Sequence, residues 1–211
     1  MTETGSFPQR MPSVRVRTSL RRFALLTAAL SALFASGCGY NEVIDRDEEV
    51  KGAWAEVQNQ YKRRADLVPN LVKVVQGAAD FERDTLKQVV EARASVAGVK
   101  VDASTIDDPQ KLAQFEEAQA KLSGALSRLL VVSENYPDLK ASAAFRDLQA
   151  QLEGTENRIA VARGRYIQAV AEYNKTVLRF PSSLGASMRG KRERPTFTGS
   201  AADENAPEIN F

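Results

Sequence analysis

The side chains of this chain that could do chemistry are one thiol, Cys38, and a set of charged groups on or beside apolar stripes: Arg64, Glu82, Arg93, Glu156, Asn157 and Arg163. Cys38 is the only cysteine, so no intrachain disulfide forms in any compartment. It directly follows an uncharged, mostly apolar run from Phe23 to Gly37 that ends in the small residues Ala35, Ser36 and Gly37. Small residues let a chain lie extended in a peptidase cleft, and a thiol just beyond them is placed to take up lipid. The two glutamates suggest a different chemistry, a carboxylate metal or catalytic site inside a helical bundle. Di-iron bundles, however, add a Glu-x-x-His pair from each of two helices, and this chain has no histidine. Zinc and copper sites, histidine bases and cysteine nucleophiles are excluded or nearly so on the same ground. We therefore expect no catalytic residue, no metal ligand and no cofactor. The charged seam residues are read instead as cross-helix pairs that fix register at some cost in stability.

Arg10, Arg15, Arg17, Arg21 and Arg22 precede the apolar run. A basic n-region (1–22), an apolar stretch (23–37) and small residues make 1–37 a signal peptide or membrane anchor outside the fold. The order resembles a bacterial lipoprotein signal with FASGC as its lipobox, Ala35 standing where leucine is usual. The competing readings are an uncleaved membrane span and a buried structural cysteine. The run is 15 residues long, whereas a perpendicular span needs about 20. Arginines before the run and Glu42, Asp45, Asp47, Glu48 and Glu49 after it put the N-terminus in the cytoplasm and the rest outside. The expected location is thus the cell envelope, on the periplasmic face in a Gram-negative host, with membrane lipid as the partner of the N-terminus. The whole chain carries a formal charge of +2, but beyond residue 37 there are 24 basic and 26 acidic residues. A net −2 argues against nucleic acid as a partner.

Positioning falls to helices. Apolar residues recur at steps of four and three in Val50, Trp54, Val57, Tyr61, then Val68, Leu71, Val75 and Ala78. A second seam runs Leu112, Phe115, Gln119, Leu122, Leu126, Leu129 and Ser133, and a third from Phe145 through Leu152, Ile159, Tyr166 and Tyr173 to Phe180. These heptads, of the kind found in coiled coils, predict an all-α protein: an antiparallel up-and-down bundle of three or four long helices over residues 38–180. Pro69 should kink the first helix near Asp66 or end it there and restart it, the kink being favoured because the apolar seam keeps its register on both sides. The register is expected to continue from Ala78 through Glu82, Leu86, Val89 and Arg93. Residues 98–109 read as a loop whose Asp108 caps a helix opening at Pro109, and Pro137 opens another after the turn at Ser133 to Asn135. The tail, 181–211, is rich in glycine, proline and serine and is expected to be irregular or partly disordered, its basic run Arg189 to Arg194, set against Glu193, read as solvated with anionic lipid heads or an acidic partner as the alternative.

YNEVIDRDEEVKGAW, RRADLVPNLV, FERDTL, NYPDLKA, LEGTENRIAVAR and YNKTVLRFP in combination resemble the LemA family of bacterial envelope proteins, from about Tyr40 to Phe197. Ile167 and the lipobox-like Cys38 depart from the family pattern. The resemblance implies an antiparallel helical bundle held at a membrane, with no settled enzymatic activity. One branch resembles membrane proteins needed for building magnetosomes. It also implies that Arg63, Arg64, Asp66, Pro69, Asn70, Glu82, Arg93, Pro137, Glu156, Asn157, Arg163 and Asn174 are family-like polar and kink residues, which we assign to scaffold geometry. The expected function is a non-enzymatic envelope scaffold presenting a helical surface to other envelope proteins, in an oligomeric state the sequence leaves open. The alternatives are a cryptic carboxylate site in the bundle and a protein that shapes membranes directly.

Overall fold

A computed structural model describes the backbone of residues 16–197 and the side chains of residues 41–197 except at 103. The expected lipid attachment at Cys38 falls outside the described side chains, and residues 198–211 fall outside the described residues. The elements are α1 (Val16–Gln76), α2 (Arg83–Gly98), a 3-10 turn (Ala103–Asp107), α3 (Pro109–Ser133), α4 (Pro137–Ala141), α5 (Ala143–Leu178) and α6 (Ser182–Met188). No strand occurs among the described residues, and within residues 41–197, whose side chains are described, no helix is long and apolar enough to cross a membrane.

Heptad spacing becomes burial. On α1, Val50, Trp54, Val57, Tyr61, Val68, Leu71 and Val75 are buried, and on α3 the whole expected seam is, Gln119 and Ser133 included. On α5 the buried stripe runs from Phe145 to Thr176, while Phe180 lies beyond the helix end and is exposed. Asp108 caps α3 by accepting from the amides of Gln110 (2.9 Å) and Lys111 (3.4 Å), with Pro109 in the first turn. The 3-10 turn has its own capping box between Asp102 and Thr105.

Cross-contacts set the helix directions. Trp54 meets Tyr166 at 5.4 Å between ring centroids and Arg64 meets Glu156 at 2.7 Å, so α5 runs antiparallel to α1. Tyr61 meets Phe115 while Arg64 reaches Gln119 and Ser123, so α3 runs parallel to α1. The core divides into two apolar clusters. One gathers Val43 to Tyr61 of α1 with Phe115 and the C-terminal half of α5; the other gathers Val68 to Val75 with Leu122 to Leu129, Phe145 and Leu152. α2 covers only the second, through Val89 and Ala92.

Three expectations change. The register does not pass from Ala78 into α2: the chain turns at Gly77–Glu82, with Asp80 at φ 59°. Aspartate tolerates that left-handed conformation better than most residues. Tyr136 pins the turn by donating its hydroxyl to the Asp80 carbonyl (3.0 Å) while its ring lies 4.8 Å from Phe81. Glu82 and Arg93 are consequently exposed and do not sit on the seam. The tail is not irregular throughout: α6 buries Ser182 and Ala186, Gly190 at φ 64° ends it, and Phe197 is buried in the first cluster. The reason is the shortness of α2, which leaves the first cluster to be covered by Ile106, Ala186 and Phe197.

Pro69 lies inside α1, which continues past it as one helix. Lacking an amide, proline leaves the carbonyl four residues back without its helical partner. That carbonyl, of Ala65, accepts from Arg93 Nε at 3.2 Å. Arg93 therefore satisfies the defect in the first helix instead of pairing with a seam glutamate. Arg93→Ala should destabilise the protein by about 1 kcal/mol, and by less in a Pro69→Ala background. Equal losses by urea denaturation in the two backgrounds would show that the bond is unrelated to the proline.

Candidate functional site

Arg64 sits between the two apolar clusters and is 1% exposed. Its guanidinium is an obligate cation, so burial requires acceptors. Nη1 donates to Ser123 Oγ (2.5 Å) and Glu156 Oε1 (2.7 Å), and Nη2 to the carbonyl (3.1 Å) and side-chain oxygen (2.6 Å) of Gln119. Its face lies 5.0 Å from the Tyr61 ring centroid. One side chain of α1 thus takes acceptors from α3 and α5 together. Two turns along α5, Arg163 pairs with Glu116 of α3 (3.2 Å) and donates to the Tyr61 hydroxyl (3.5 Å). These groups border a groove of ≈ 530 Å³ between α1, α3 and α5. Burial raises the Tyr61 phenol above its ordinary value, against the Arg163 and Arg64 charges. The groove therefore offers carboxylates already held by guanidinium groups, and a phenol that keeps its proton.

The other residues singled out from sequence do not join this layer. Asp66, Glu82, Arg93 and Asn157 are exposed and Pro69 is half-buried within α1. No group of three or more cysteine, aspartate and glutamate side chains that could hold a metal occurs among the described residues. Sequence reasoning missed a second charged cluster, where the tail docks. Arg194, 6% exposed, places Nε 2.7 Å from Asp107 Oδ1 and Nη2 2.8 Å from Asp47 Oδ1. Its guanidinium lies 4.7 Å from the Tyr173 centroid. Asn174 clamps the same residue's backbone, donating to its carbonyl (2.9 Å) and accepting from its amide (2.8 Å). Asp47 also meets Lys51 (2.9 Å) and Lys191 (3.0 Å). Beyond it, Phe197 lies 5.1 Å from Tyr166 and 6.1 Å from Trp54, with the Arg163 guanidinium 4.4 Å from its centroid. Burial pushes the Tyr166 phenol up to about 12. A signal for Asp47 was present: it falls four residues after Val43 and three before Val50, on the seam extended backward. Arg194 gave none, because nothing distinguished it from the exposed bases beside it.

Two outcomes follow from this chemistry. Arg64→Ala should destabilise the protein by about 2–4 kcal/mol, because it empties a buried site and leaves the buried Gln119 side chain without its donor, while half-exposed Glu156 keeps water. Arg64→Met combined with Gln119→Leu should recover most of that loss in urea melts; no recovery would mean that charge itself holds the layer together. Asp47 gives a pH dependence. Burial opposes its charge, but Lys51, Lys191 and Arg194 outweigh burial and hold its carboxyl below the ordinary value. The stabilisation is therefore complete above the unfolded value of about 3.9 and is lost as pH falls through the lower folded one. Asp47→Asn should be less stable at neutral pH and should lose less on acidification than the unaltered chain. Identical acid profiles for the two would remove Asp47 from the account.

A family model described as the LemA family matches residues 53–211, a span that includes Arg64, Glu156, Asn174 and Phe197. A protein named LemA from Metamycoplasma hominis is similar to this chain, 26% identical over 102 residues. That match spans 48% of this chain and 42% of the relative. The chain thus spans less than half the length of the relative it matches. The family match takes in most of α1's bundle segment, all of α2 to α6 and the docked tail, and on that extent the chain belongs to the LemA family.

Proposed function

We propose that this chain is a non-enzymatic scaffold of the bacterial cell envelope. Its N-terminus, through lipid on Cys38 or an N-terminal membrane helix, holds the bundle on the non-cytoplasmic side, and the bundle presents a rigid helical surface to envelope proteins. The observation that carries this reading is the use made of the charges between helices. Arg64 with Glu156, Arg163 with Glu116, and Arg194 with Asp47 and Asp107 each tie separate segments together. Charge spent on register stiffens a rod. Between residue 41 and Gln76, α1 is about 50 Å long at 1.5 Å per residue. Its far end carries a groove of ≈ 470 Å³ where Val74 and Ala78 face Tyr136, Pro137 and Leu139. An anchor at one end and a groove at the other suit a protein that holds a partner away from the bilayer.

A photo-reactive amino acid at Asp138, exposed on the rim of that groove, tests the reading in intact cells. A discrete protein adduct is expected in the membrane fraction, with none from the same probe at Val161 on the side of the rod. No adduct at Asp138 across several growth conditions would count against the scaffold.

A further inference from the structure

Eight large apolar side chains are exposed among the described residues, and four of them fall between Leu178 and Met188. Val90, Val131, Val161 and Ile167 are scattered singly, which is ordinary for a soluble surface. Leu178 (63% exposed), Phe180 (80%), Leu184 (60%) and Met188 (86%) are not scattered: they crown the corner where α5 gives way to α6. Leu184 and Met188 are one helical turn apart on α6, on the face opposite Ser182 and Ala186, which are buried in the bundle. Arg179, Arg189 and Arg192 lie within the same short stretch, all three exposed, against one exposed acid, Glu193. An apolar ridge in a basic setting is the composition of a segment that lies in a membrane interface.

The register of the bundle sets the height of this corner. Trp54 faces Tyr166 and Arg64 faces Glu156, so each step toward the C-terminus of α5 is matched by one step toward the N-terminus of α1. Carried on at that register, Leu178 is level with Glu42 and Phe180 with a point two residues nearer the chain start. The apolar run ends at Gly37 and the candidate lipidated residue is Cys38. At 1.5 Å per residue, Leu178 and Phe180 stand about 3–8 Å from the place where either form of anchor leaves the bilayer, and Leu184 and Met188 follow them on α6. Interfacial helices bury their apolar face about 5–10 Å into the headgroup and acyl boundary. The α1 surface at that height carries Glu42 and Asp45, both exposed, and Arg46 paired with Glu49. The basic character is therefore confined to the α5–α6 side.

We propose that the α5–α6 corner is a second membrane contact, in which Leu178, Phe180, Leu184 and Met188 enter the interface of an anionic bilayer and the neighbouring arginines meet its headgroups. It rests on the proposed N-terminal anchoring for its orientation and adds a surface that anchoring alone does not require. Each exposed base close to an anionic leaflet adds an attraction that falls off within a Debye length, so the contact should weaken with salt and with neutral lipid.

The test uses the full-length chain in lipid nanodiscs containing phosphatidylglycerol and brominated acyl chains. Phe180→Trp should be quenched strongly and emit at shorter wavelength than in detergent. Val131→Trp, an exposed site on α3, should show neither change, and Trp54, 3% exposed, supplies a common background. Replacing Arg179 and Arg192 together by glutamate, or using phosphatidylcholine alone, should reduce the quenching of Phe180→Trp at least twofold. Failure of the chain to enter nanodiscs would overturn the anchoring and this proposal with it. Entry with an unquenched Phe180→Trp would overturn this proposal alone. A blue shift without quenching, accompanied by a dimer mass, would assign the ridge to a second copy of the chain and likewise overturn it.

Discussion

The structure depends on a buried arginine. Apolar clusters lie on both sides of Arg64, and apolar attraction is non-directional, so heptad seams could slide by a turn and still bury similar area. A guanidinium allows no such slip. A shift of one turn, about 5.4 Å, would carry Glu156 and Gln119 beyond hydrogen-bond reach and strand a charge in the interior. Desolvating that charge costs several kcal/mol, which its four bonds offset in part, Nε having no partner, and only in one register. The glutamate is half-exposed while the arginine is not. The pair is therefore wet on one side, which limits the desolvation cost without loosening the geometry on α1.

The second constraint is the unequal length of the helices. α2 has 16 residues against the 36 of α5, so a four-helix arrangement exists only over the half of the molecule where α2 reaches. Over the other half Trp54, Phe115 and Tyr166 would face water on one side. The 3-10 turn supplies Ile106 there, and the C-terminal segment folds back with Ala186 and Phe197. Asp47 holds that segment in place by gathering Lys191 and Arg194 from it and Lys51 from its own helix. The tail thus stands in for the missing length of α2.

Much of this was legible in the sequence because heptad spacing and burial are two views of one geometry. Every seam position from Leu112 to Ser133 is buried, polar Gln119 included, and Asp108 with Pro109 opens α3 as cap chemistry requires. Arg64 and Glu156 were visible as charged residues at and beside that geometry, and they do pair. The turn at Gly77–Glu82 was not visible, since alanines keep helical spacing alive through it and the deciding contacts come from Tyr136, more than fifty residues away. Arg93 was misread for a related reason: its acceptor is a backbone carbonyl exposed by Pro69, and backbone defects have no residue type of their own. The tail was misjudged because composition counts glycine, proline and serine but cannot weigh one phenylalanine and one arginine that find partners at long range.

Continuity of α1 links these constraints to the proposed role. One helix runs from Val16 to Gln76, carrying the apolar run near its start and the register-fixing Arg64 near its end. Rotation about a helix axis is about 100° per residue. Once Asp47, Trp54 and Arg64 have turned their sides toward α5, α3 and the tail, the azimuth of residues 41–46 on the same helix is set as well. For a chain anchored as proposed, this leaves little freedom in which side of the bundle leans toward the bilayer. The α5–α6 corner is on the α5 side of that axis and at the height of the proposed anchor. A flexible linker would let the bundle tumble and make any fixed membrane-facing surface pointless; a continuous helix makes such a surface usable.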